Sequence, residues 1–279
     1  MRYPVGGPAL SLSTRASGLL SLPTLMGVAQ TAHLAGLDLD LSRRVWLVRP
    51  QEIVAATQSA ELFISSLWAP RIVPGPFARE RGLGAAELGA SLATAVGADL
   101  LVLDRPPHGP GWANSAAVEL VEAVRGETGN VAIAIALRPR DLQGTRDHLA
   151  QVAALRRAAE EWDFEIALDL LGPIDCRWEA EAAVARLLPR LRLIRTGSLA
   201  PLPPGRSRAA MTARAINAAV DSGFRGMFAL APSLPIWRRC RADAVAEAAT
   251  DTTRRLLARY AAVHDQTRLD SYRQFRESS

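Results

Sequence analysis

The chain has 279 residues, of which 49% are hydrophobic and 22% are charged, so it is long and apolar enough to bury a sizeable core. All 33 basic residues are arginine, and they are spread along the whole chain, so the formal net charge of +5 is not typical of a nucleic-acid-binding protein. The two cysteines, Cys176 and Cys240, have no Cys-x-x-Cys partner, which argues against a disulfide scaffold or a structural zinc site.

No apolar run reaches the length of a membrane span. The first residues, MRYPVGGPALSLST, contain no continuous apolar stretch like that of a signal peptide. We therefore expect a cytoplasmic protein without a membrane partner.

Strand-like and helix-like segments alternate through the first half of the chain. The helices are expected at 22–35, 51–58 and 84–96, and Gly36 is expected to end the first of them, because glycine is common just after a helix. The predicted strands are 9–13, 37–41, 61–67 and 98–103.

The same alternation continues in the second half. Ser115 is expected to cap one helix and Thr145 to start the next, since both residue types favour helix N-termini. The last helix is expected over 241–262 and is followed by a polar C-terminal tail, 263–279. The predicted strands are 131–137, 164–170, 191–195 and 224–230.

Eight predicted strands, each followed by a helical segment, indicate eight βα units. Strict alternation implies a parallel sheet, and eight units in about 250 residues are typical of a (β/α)8 TIM barrel. The rival fold is a doubly wound open sheet, whose first strand is usually followed by a phosphate loop such as GxGxxG, whereas STRASG follows here. No linker divides the chain, so we predict the α/β class and one TIM-barrel domain over 1–279, with the barrel at about 9–262.

The C-terminal ends of the strands surround one mouth of a TIM barrel, so the residues that follow the predicted strands should meet there. Six of the eight strands have an arginine at or just past this end. A guanidinium group can hold a phosphate or carboxylate with two hydrogen bonds, and an aromatic face can stack on a sugar ring. The residues that we expect to bind a ligand are Arg15, Trp68, Arg105, Arg138 and Arg195.

Acidic residues and one histidine also fall at the predicted mouth. Asp38 and Asp40 alternate with leucine on the second strand and point the same way. Such a pair can do acid–base work, or it can form salt bridges to Arg15 and Arg43, and both interpretations stay open. His108 lies in the loop after the fourth strand, and histidine is the residue type whose reference pKa suits a general base near neutral pH.

Several stretches resemble the xylose isomerase-like TIM barrels, a superfamily of sugar isomerases, epimerases and endonuclease IV-type enzymes. LSLST, a helix ending in HLAG, and LDLDLS are similar to its first two strands and the helix between them. ELFISSLWAP resembles its third strand and FEIALDLLG its sixth. The resemblance implies a divalent metal held by a Glu, an Asp, a His and a Glu at the ends of strands five to eight.

Carried over to this sequence, that ligand set keeps one member, Asp169 on strand six. Strand five ends in Leu137 and Arg138, strand seven has Arg195, and strand eight offers no carboxylate. Positive charge at two of the four positions disfavours a divalent cation through like-charge repulsion. We therefore expect no metal and no other cofactor.

The leading hypothesis is a divergent barrel that has lost the family metal site and binds a small anionic, sugar-like molecule. For an enzyme, the resemblance implies isomerisation or epimerisation by proton transfer, with Asp169, Asp40 and His108 as proton carriers. The alternative is a non-catalytic binding or assembly protein of the same fold, with the mouth closed by internal Arg–Asp pairs. An endonuclease IV-like nucleic-acid protein is a third hypothesis, against which the lack of a His-rich metal cluster counts, and a homo-oligomer is left open.

Overall fold

The structure is a computed structural model that describes residues 8–16, 20–41, 49–71, 77–104, 113–142, 147–171, 174, 178–197, 208–235 and 237–277. The strands are β1 (Ala9–Ser13), β2 (Gly36–Asp40), β3 (Phe63–Trp68), β4 (Leu100–Leu103), β5 (Ala132–Leu137), β6 (Glu165–Asp169), β7 (Leu191–Thr196) and β8 (Met227–Leu230). They are parallel and pair in chain order, and β8 pairs with β1, which closes a barrel. The predicted TIM barrel is confirmed, and the open sheet is wrong because this sheet has no edge.

One helix follows each strand, as the alternation predicts. The helices are α1 (Leu22–Thr31), α2 (Pro50–Ser59), α3 (Ala78–Val96), α4 (Ala113–Arg125), α5 (His148–Glu161), α6 (Ala180–Leu187), α7 (Arg208–Asp221) and α8 (Ala242–Glu277). The last helix extends through most of the segment that the sequence predicts as a polar tail. Among the described helices, none combines the length and the apolar character needed to cross a membrane.

Two helix starts differ from the sequence prediction. The α4 helix already begins at Ala113, so Ser115 lies within its first turn and does not cap it. The α5 helix is capped by Asp147, whose side chain accepts a hydrogen bond from the backbone N–H of Ala150 at 2.8 Å. The predicted start at Thr145 lies outside the described residues. An Asp and a Thr are both good caps, so the local sequence alone does not choose between them.

Gly36 does not end α1, because that helix stops at Thr31. Gly36 is instead the first residue of β2 and stands opposite Phe63 of β3 in the sheet register. A Cβ atom at this position would lie 2.8 Å from the carbonyl oxygen of Phe63. Glycine therefore serves the close approach of two strands here.

Apolar side chains form two separate clusters, one on each face of the closed sheet. The larger lies between the strands and the surrounding helices. The smaller fills the barrel interior and is rich in alanine, with Trp68 as its largest member. Alternate strand residues belong to alternate clusters, as in β4, where Leu101 and Leu103 pack outward and Leu100 and Val102 pack inward.

Candidate functional site

The apolar interior of the barrel gives way to charged side chains at its C-terminal end. The last apolar inward residues of β4 to β7 are Val102, Ala136, Ala167 and Leu193. Two residues further along each strand, on the same face, are Asp104, Arg138, Asp169 and Arg195. All four are no more than 5% exposed, so the site is a buried layer of charge directly under the mouth.

Arg195 is fully buried and pairs with two carboxylates of β2. Its Nε donates a hydrogen bond to Asp38 Oδ2 at 3.0 Å, and its Nη1 donates one to Asp40 Oδ2 at 3.0 Å. Because β1 and β8 separate β2 from β7 in the sheet, these ion pairs cross the barrel interior. The two aspartates therefore form salt bridges, with Arg195 as their main partner, and Arg43 lies outside the described residues.

Trp68 packs against this pair from β3. The guanidinium carbon of Arg195 lies 3.5 Å from the centroid of the indole ring, which is a cation–π contact. The indole Nε1 donates a hydrogen bond to Asp38 Oδ1 at 2.6 Å, and Ser66 Oγ donates to the same oxygen at 2.5 Å. One face of the ring is thus covered by Arg195 and offers no stacking surface to a sugar.

Arg138 forms the second centre of the layer, just past the end of β5, with its guanidinium carbon 6.0 Å from the centroid of the same indole ring. Its Nε donates a hydrogen bond to Asp169 Oδ2 at 3.1 Å, and its Nη1 is hydrogen-bonded to Asp104 Oδ1. The other oxygen of Asp169 accepts a hydrogen bond from the backbone N–H of Leu171 at 3.1 Å. Both oxygens of Asp169 are therefore held by hydrogen bonds.

Two partly exposed arginines complete the arrangement. Arg15 Nη1 lies 3.7 Å from Asp40 Oδ2 and 3.5 Å from Asp169 Oδ2, so it joins the two halves of the layer. Arg71 Nε lies 3.9 Å from Asp104 Oδ2. Arginine and aspartate consequently alternate in one chain of contacts, here called the ion-pair chain, which runs Arg71, Asp104, Arg138, Asp169, Arg15, Asp40, Arg195 and Asp38.

The charges around Asp169 keep it ionised despite its burial. Burial alone raises the pKa of its carboxyl group, but the positive charges of Arg195, Arg138 and Arg15 together outweigh that effect, and the pKa lies below its ordinary value. The two carboxylates beside Arg138 likewise raise its pKa, against the effect of burial. Asp169 is therefore a weak base and a fixed anion rather than a group ready to exchange protons near neutral pH.

Asp104 differs from Asp169 because burial dominates. Burial raises the pKa of Asp104 above its ordinary value, and the nearby charges of Arg138 and Arg71 offset only part of the rise. One side of this carboxylate faces Arg71, whose side chain is about half exposed, so Asp104 connects the buried layer to an arginine at the surface.

The structure brings together six of the eight residues that the sequence predicts for the site. They are Arg15, Asp40, Trp68, Arg138, Asp169 and Arg195, and all belong to the ion-pair chain or touch it. Arg105 and His108 lie outside the described residues, so their positions stay predictions. Whether any of the eight contacts a ligand is likewise a prediction.

Asp104 and Arg71 take part in the site without being among the eight predicted site residues, and so does Asp38, which the sequence analysis names only as the neighbour of Asp40 at the mouth. The missing signal is the inward alternation of β4, since Leu100 and Val102 lead directly to Asp104 on the same face. Asp38 follows from the same alternation on β2. Internal Arg–Asp pairs are one of the interpretations that the sequence leaves open, but which arginine holds which carboxylate is not visible there, because it depends on contacts across the barrel.

The strand register allows a direct test of whether a divalent metal fits at this layer. Asp169 stands opposite Arg195, and Arg195 stands opposite Ala229 of β8, while Arg138 directly follows the pair Leu137–Leu168. These are the levels at which the resemblance implies Glu, Asp, His and Glu. Two guanidinium groups and a methyl group accompany one carboxylate, so the donor set does not fit the metal, and nowhere in the described part of the chain do three or more His, Cys, Asp or Glu residues cluster as a metal ion requires.

The fold and the site together define a (β/α)8 barrel whose mouth overlies a buried chain of alternating arginine and aspartate. No protein-family model and no curated protein matches the chain. Among solved structures, it is similar to L-ribulose 3-epimerase, with 11% identity over 95% of this chain and 98% of that chain and a TM-score of 0.69.

Two further solved structures are similar over most of their length. D-allulose 3-epimerase from Methylomonas sp. is 14% identical over 93% of this chain and 100% of that chain, with a TM-score of 0.68. A family 2 AP endonuclease from Brucella melitensis is 11% identical over 82% of this chain and 95% of that chain, with a TM-score of 0.58. The chain therefore has the fold of the xylose isomerase-like TIM barrel proteins, which confirms the resemblance at the level of fold.

Proposed function

We propose that this protein is a divergent barrel of the sugar isomerase and epimerase type that binds a small anionic, sugar-like ligand at its C-terminal mouth without a divalent metal. The observation that supports this most directly is the burial of Arg138 and Arg195 at two levels where the resemblance implies metal ligands. The positive charge of their guanidinium groups balances the buried carboxylates, as a metal ion would in the site that the resemblance implies.

The outward face of the site favours an anion over a cation. Asp38, Asp40 and Asp169 are almost fully buried, whereas the side chain of Arg15 is 26% exposed. A ligand that enters from solvent therefore meets a guanidinium group before it meets a carboxylate. In this proposal Arg15 contacts the ligand, and Arg138 and Arg195 act beneath it as fixed charges.

The pairing of the carboxylates favours binding without catalysis over isomerisation. Asp169 and Asp40 each accept contacts from two arginines, and the pKa of Asp169 lies below its ordinary value. Moving a proton through either group requires breaking buried ion pairs. Proton transfer by Asp169, Asp40 and His108 stays the second candidate, since similar solved structures are 3-epimerases. A cytoplasmic location and a single domain belong to both proposals.

The test combines metal analysis with a ligand panel. Purified protein is dialysed and its metals are quantified, and binding is then measured by calorimetry with phosphorylated sugars, sugar acids and the matching neutral sugars. We expect far less than one metal per chain, an unchanged thermal midpoint with chelator, and binding of an anionic sugar in preference to its neutral counterpart. One tightly held manganese or zinc per chain, or no binding of any anionic sugar, would overturn the proposal.

A further inference from the structure

The aspartates of the ion-pair chain lie deeper than two arginines at the rim of the mouth. The four aspartates of the ion-pair chain are 5% exposed or less, whereas the side chains of Arg71 and Arg140 are 49% and 23% exposed. Arg71 follows β3, and Arg140 lies in a short 3-10 turn after β5. This side of the mouth therefore presents the guanidinium groups of Arg71 and Arg140 to solvent, together with the carboxylate of Asp141, whose side chain is 25% exposed.

The carboxylates nearest to these two arginines have their closest contacts with another residue. Arg71 Nε lies 3.9 Å from Asp104, which is hydrogen-bonded to Arg138. Arg140 Nε lies 3.7 Å from Asp141 Oδ1, while Asp141 Oδ2 accepts a hydrogen bond from the backbone N–H of Arg138 at 3.3 Å. Both distances exceed hydrogen-bond length, so each outer guanidinium holds its carboxylate only by a long ion pair.

Arg140 also experiences the positive charge of its neighbours. Its pKa is lowered first by burial and then by the charges of Arg71 and Arg138, against the weaker opposing effects of Asp141 and Asp169. Asp104 connects Arg71 to Arg138, and Asp141 connects Arg140 to the backbone of Arg138, so the three arginines belong to one corner of the mouth. An anion bound there would be favoured by their combined positive charge.

We infer that Arg71 and Arg140 form a subsite for the phosphate group of a phosphorylated sugar, an assignment that rests on the proposed binding of an anionic ligand. A phosphate monoester carries up to two negative charges and three terminal oxygens, which two guanidinium groups can hold with paired hydrogen bonds. Arg138 lies beneath the subsite and connects through Asp169 to Arg15. The sugar portion then extends from the phosphate subsite across the mouth towards Arg15.

The test measures binding of inorganic phosphate and glucose 6-phosphate by calorimetry to the wild-type chain and to Arg71→Gln and Arg140→Gln. Each substitution should weaken binding of both probes by about tenfold, because hydrogen bonds to charged groups are lost. The matched control is Arg214→Gln on the outer face of α7, where the arginine is 50% exposed and lies 3.8 Å from Glu181. Circular dichroism verifies that all three variants are folded.

The outcomes separate this inference from the proposed function. About tenfold weaker binding in both mouth variants, with the control within about twofold of wild type, supports the subsite. Binding of sugar acids by the wild-type chain, without binding of either phosphate probe, overturns the subsite and leaves the proposed function standing. Unchanged phosphate binding in Arg71→Gln and Arg140→Gln also overturns it. A wild-type chain that binds no anionic sugar of any kind overturns both.

Discussion

Asp169 is an ionised side chain in a buried position, and its neighbours explain how both can hold. Its carboxylate is 1% exposed and lies within ion-pair distance of Arg138 and Arg15, and a backbone N–H holds its second oxygen. Removing such a group from water is unfavourable unless partners surround it. The arginines therefore make possible a buried anion that the barrel interior alone disfavours.

Replacing Asp169 by asparagine should lower the free energy of unfolding at pH 7 by about 3–5 kcal/mol, because Arg138 loses a buried partner. The loss should shrink in acid. The folded pKa of Asp169 lies below its ordinary value of 3.8, so the unfolded chain takes up the proton first as the pH falls below that value, and the stability contributed by the ionised group disappears. Urea unfolding of both proteins between pH 7 and pH 2 measures the difference.

The control for this prediction is Asp251→Asn on α8, where the aspartate is 50% exposed and pairs with Arg255 at 2.9 Å. That exposed pair should contribute less than about 1 kcal/mol at any pH. The contribution of Asp104 to stability should depend on pH in the opposite direction, because burial raises the pKa of its carboxyl group and protonation therefore favours the folded state. A loss for Asp169→Asn that is equal at neutral and acid pH would contradict the expected pairing.

The position of a strand or helix can depend on contacts with residues distant in the sequence as well as on its sequence neighbours. Gly36 illustrates this at the level of elements, since it lies where β2 begins and where β3 passes closely. Its neighbours in sequence, HLAG followed by alternating leucines, suit either the end of a helix or the start of a strand. The strand register decides between the two.

Gly36→Ala should therefore destabilise the barrel by about 1–3 kcal/mol, because the added methyl group meets the backbone of Phe63 and forces β2 and β3 apart. Gly27→Ala is the matched comparison, since a Cβ atom at Gly27 meets nothing within 4 Å and the position lies inside α1. That change should stabilise by about 0.5–1 kcal/mol through helix propensity. Thermal unfolding of both variants tests the pair, and equal effects would refute the close approach.

The order of elements could be predicted from the sequence because it depends on local periodicity. All eight strands lie where alternation or an apolar run predicts them, and only their ends shift. Helix starts such as that of α5 shift because neighbouring Asp and Thr residues cap equally well. The site was predicted only as a set of strand-end residues. Which carboxylate pairs with which arginine depends on distances across the barrel, and Asp38 with Arg195 are 157 positions apart.

The whole molecule is held across its centre by charge as well as by apolar packing. Arg195 on β7 links to β2, and Arg15 joins that half of the barrel to the half around Arg138. Below this layer the barrel interior is lined mainly by small side chains, with alanines at several inward positions of β5, β6 and β8. The long arginine side chains and Trp68 fill the space that these small residues leave at the mouth.

Arg195→Met should lower the free energy of unfolding by about 3–5 kcal/mol, because Asp38 and Asp40 lose the guanidinium group that neutralises them. The loss should be nearly the same in about 0.05 M and about 0.5 M sodium chloride, since buried pairs are poorly screened. Arg259→Met is the exposed control, whose pair with Asp221 should contribute under about 1 kcal/mol and weaken with salt. Urea unfolding of the wild-type chain and both variants at the two salt concentrations measures these losses in free energy of unfolding. Equal losses in the two variants would contradict the role of Arg195.

The alternating order of the ion-pair chain limits which substitutions this sequence can accumulate during evolution. A single replacement at Arg138 or Arg195 removes the closest charged partner of two buried aspartates, so each of these positions is expected to change only together with its neighbours. A lineage that acquired the ligand set implied by the resemblance would have to exchange Arg138 and Arg195 and add a carboxylate near Ala229, and each intermediate would be a weakened protein. Descendants of this chain are therefore expected to keep the whole set of charges or to lose it as a block, which an alignment of close relatives would reveal as coupled substitutions.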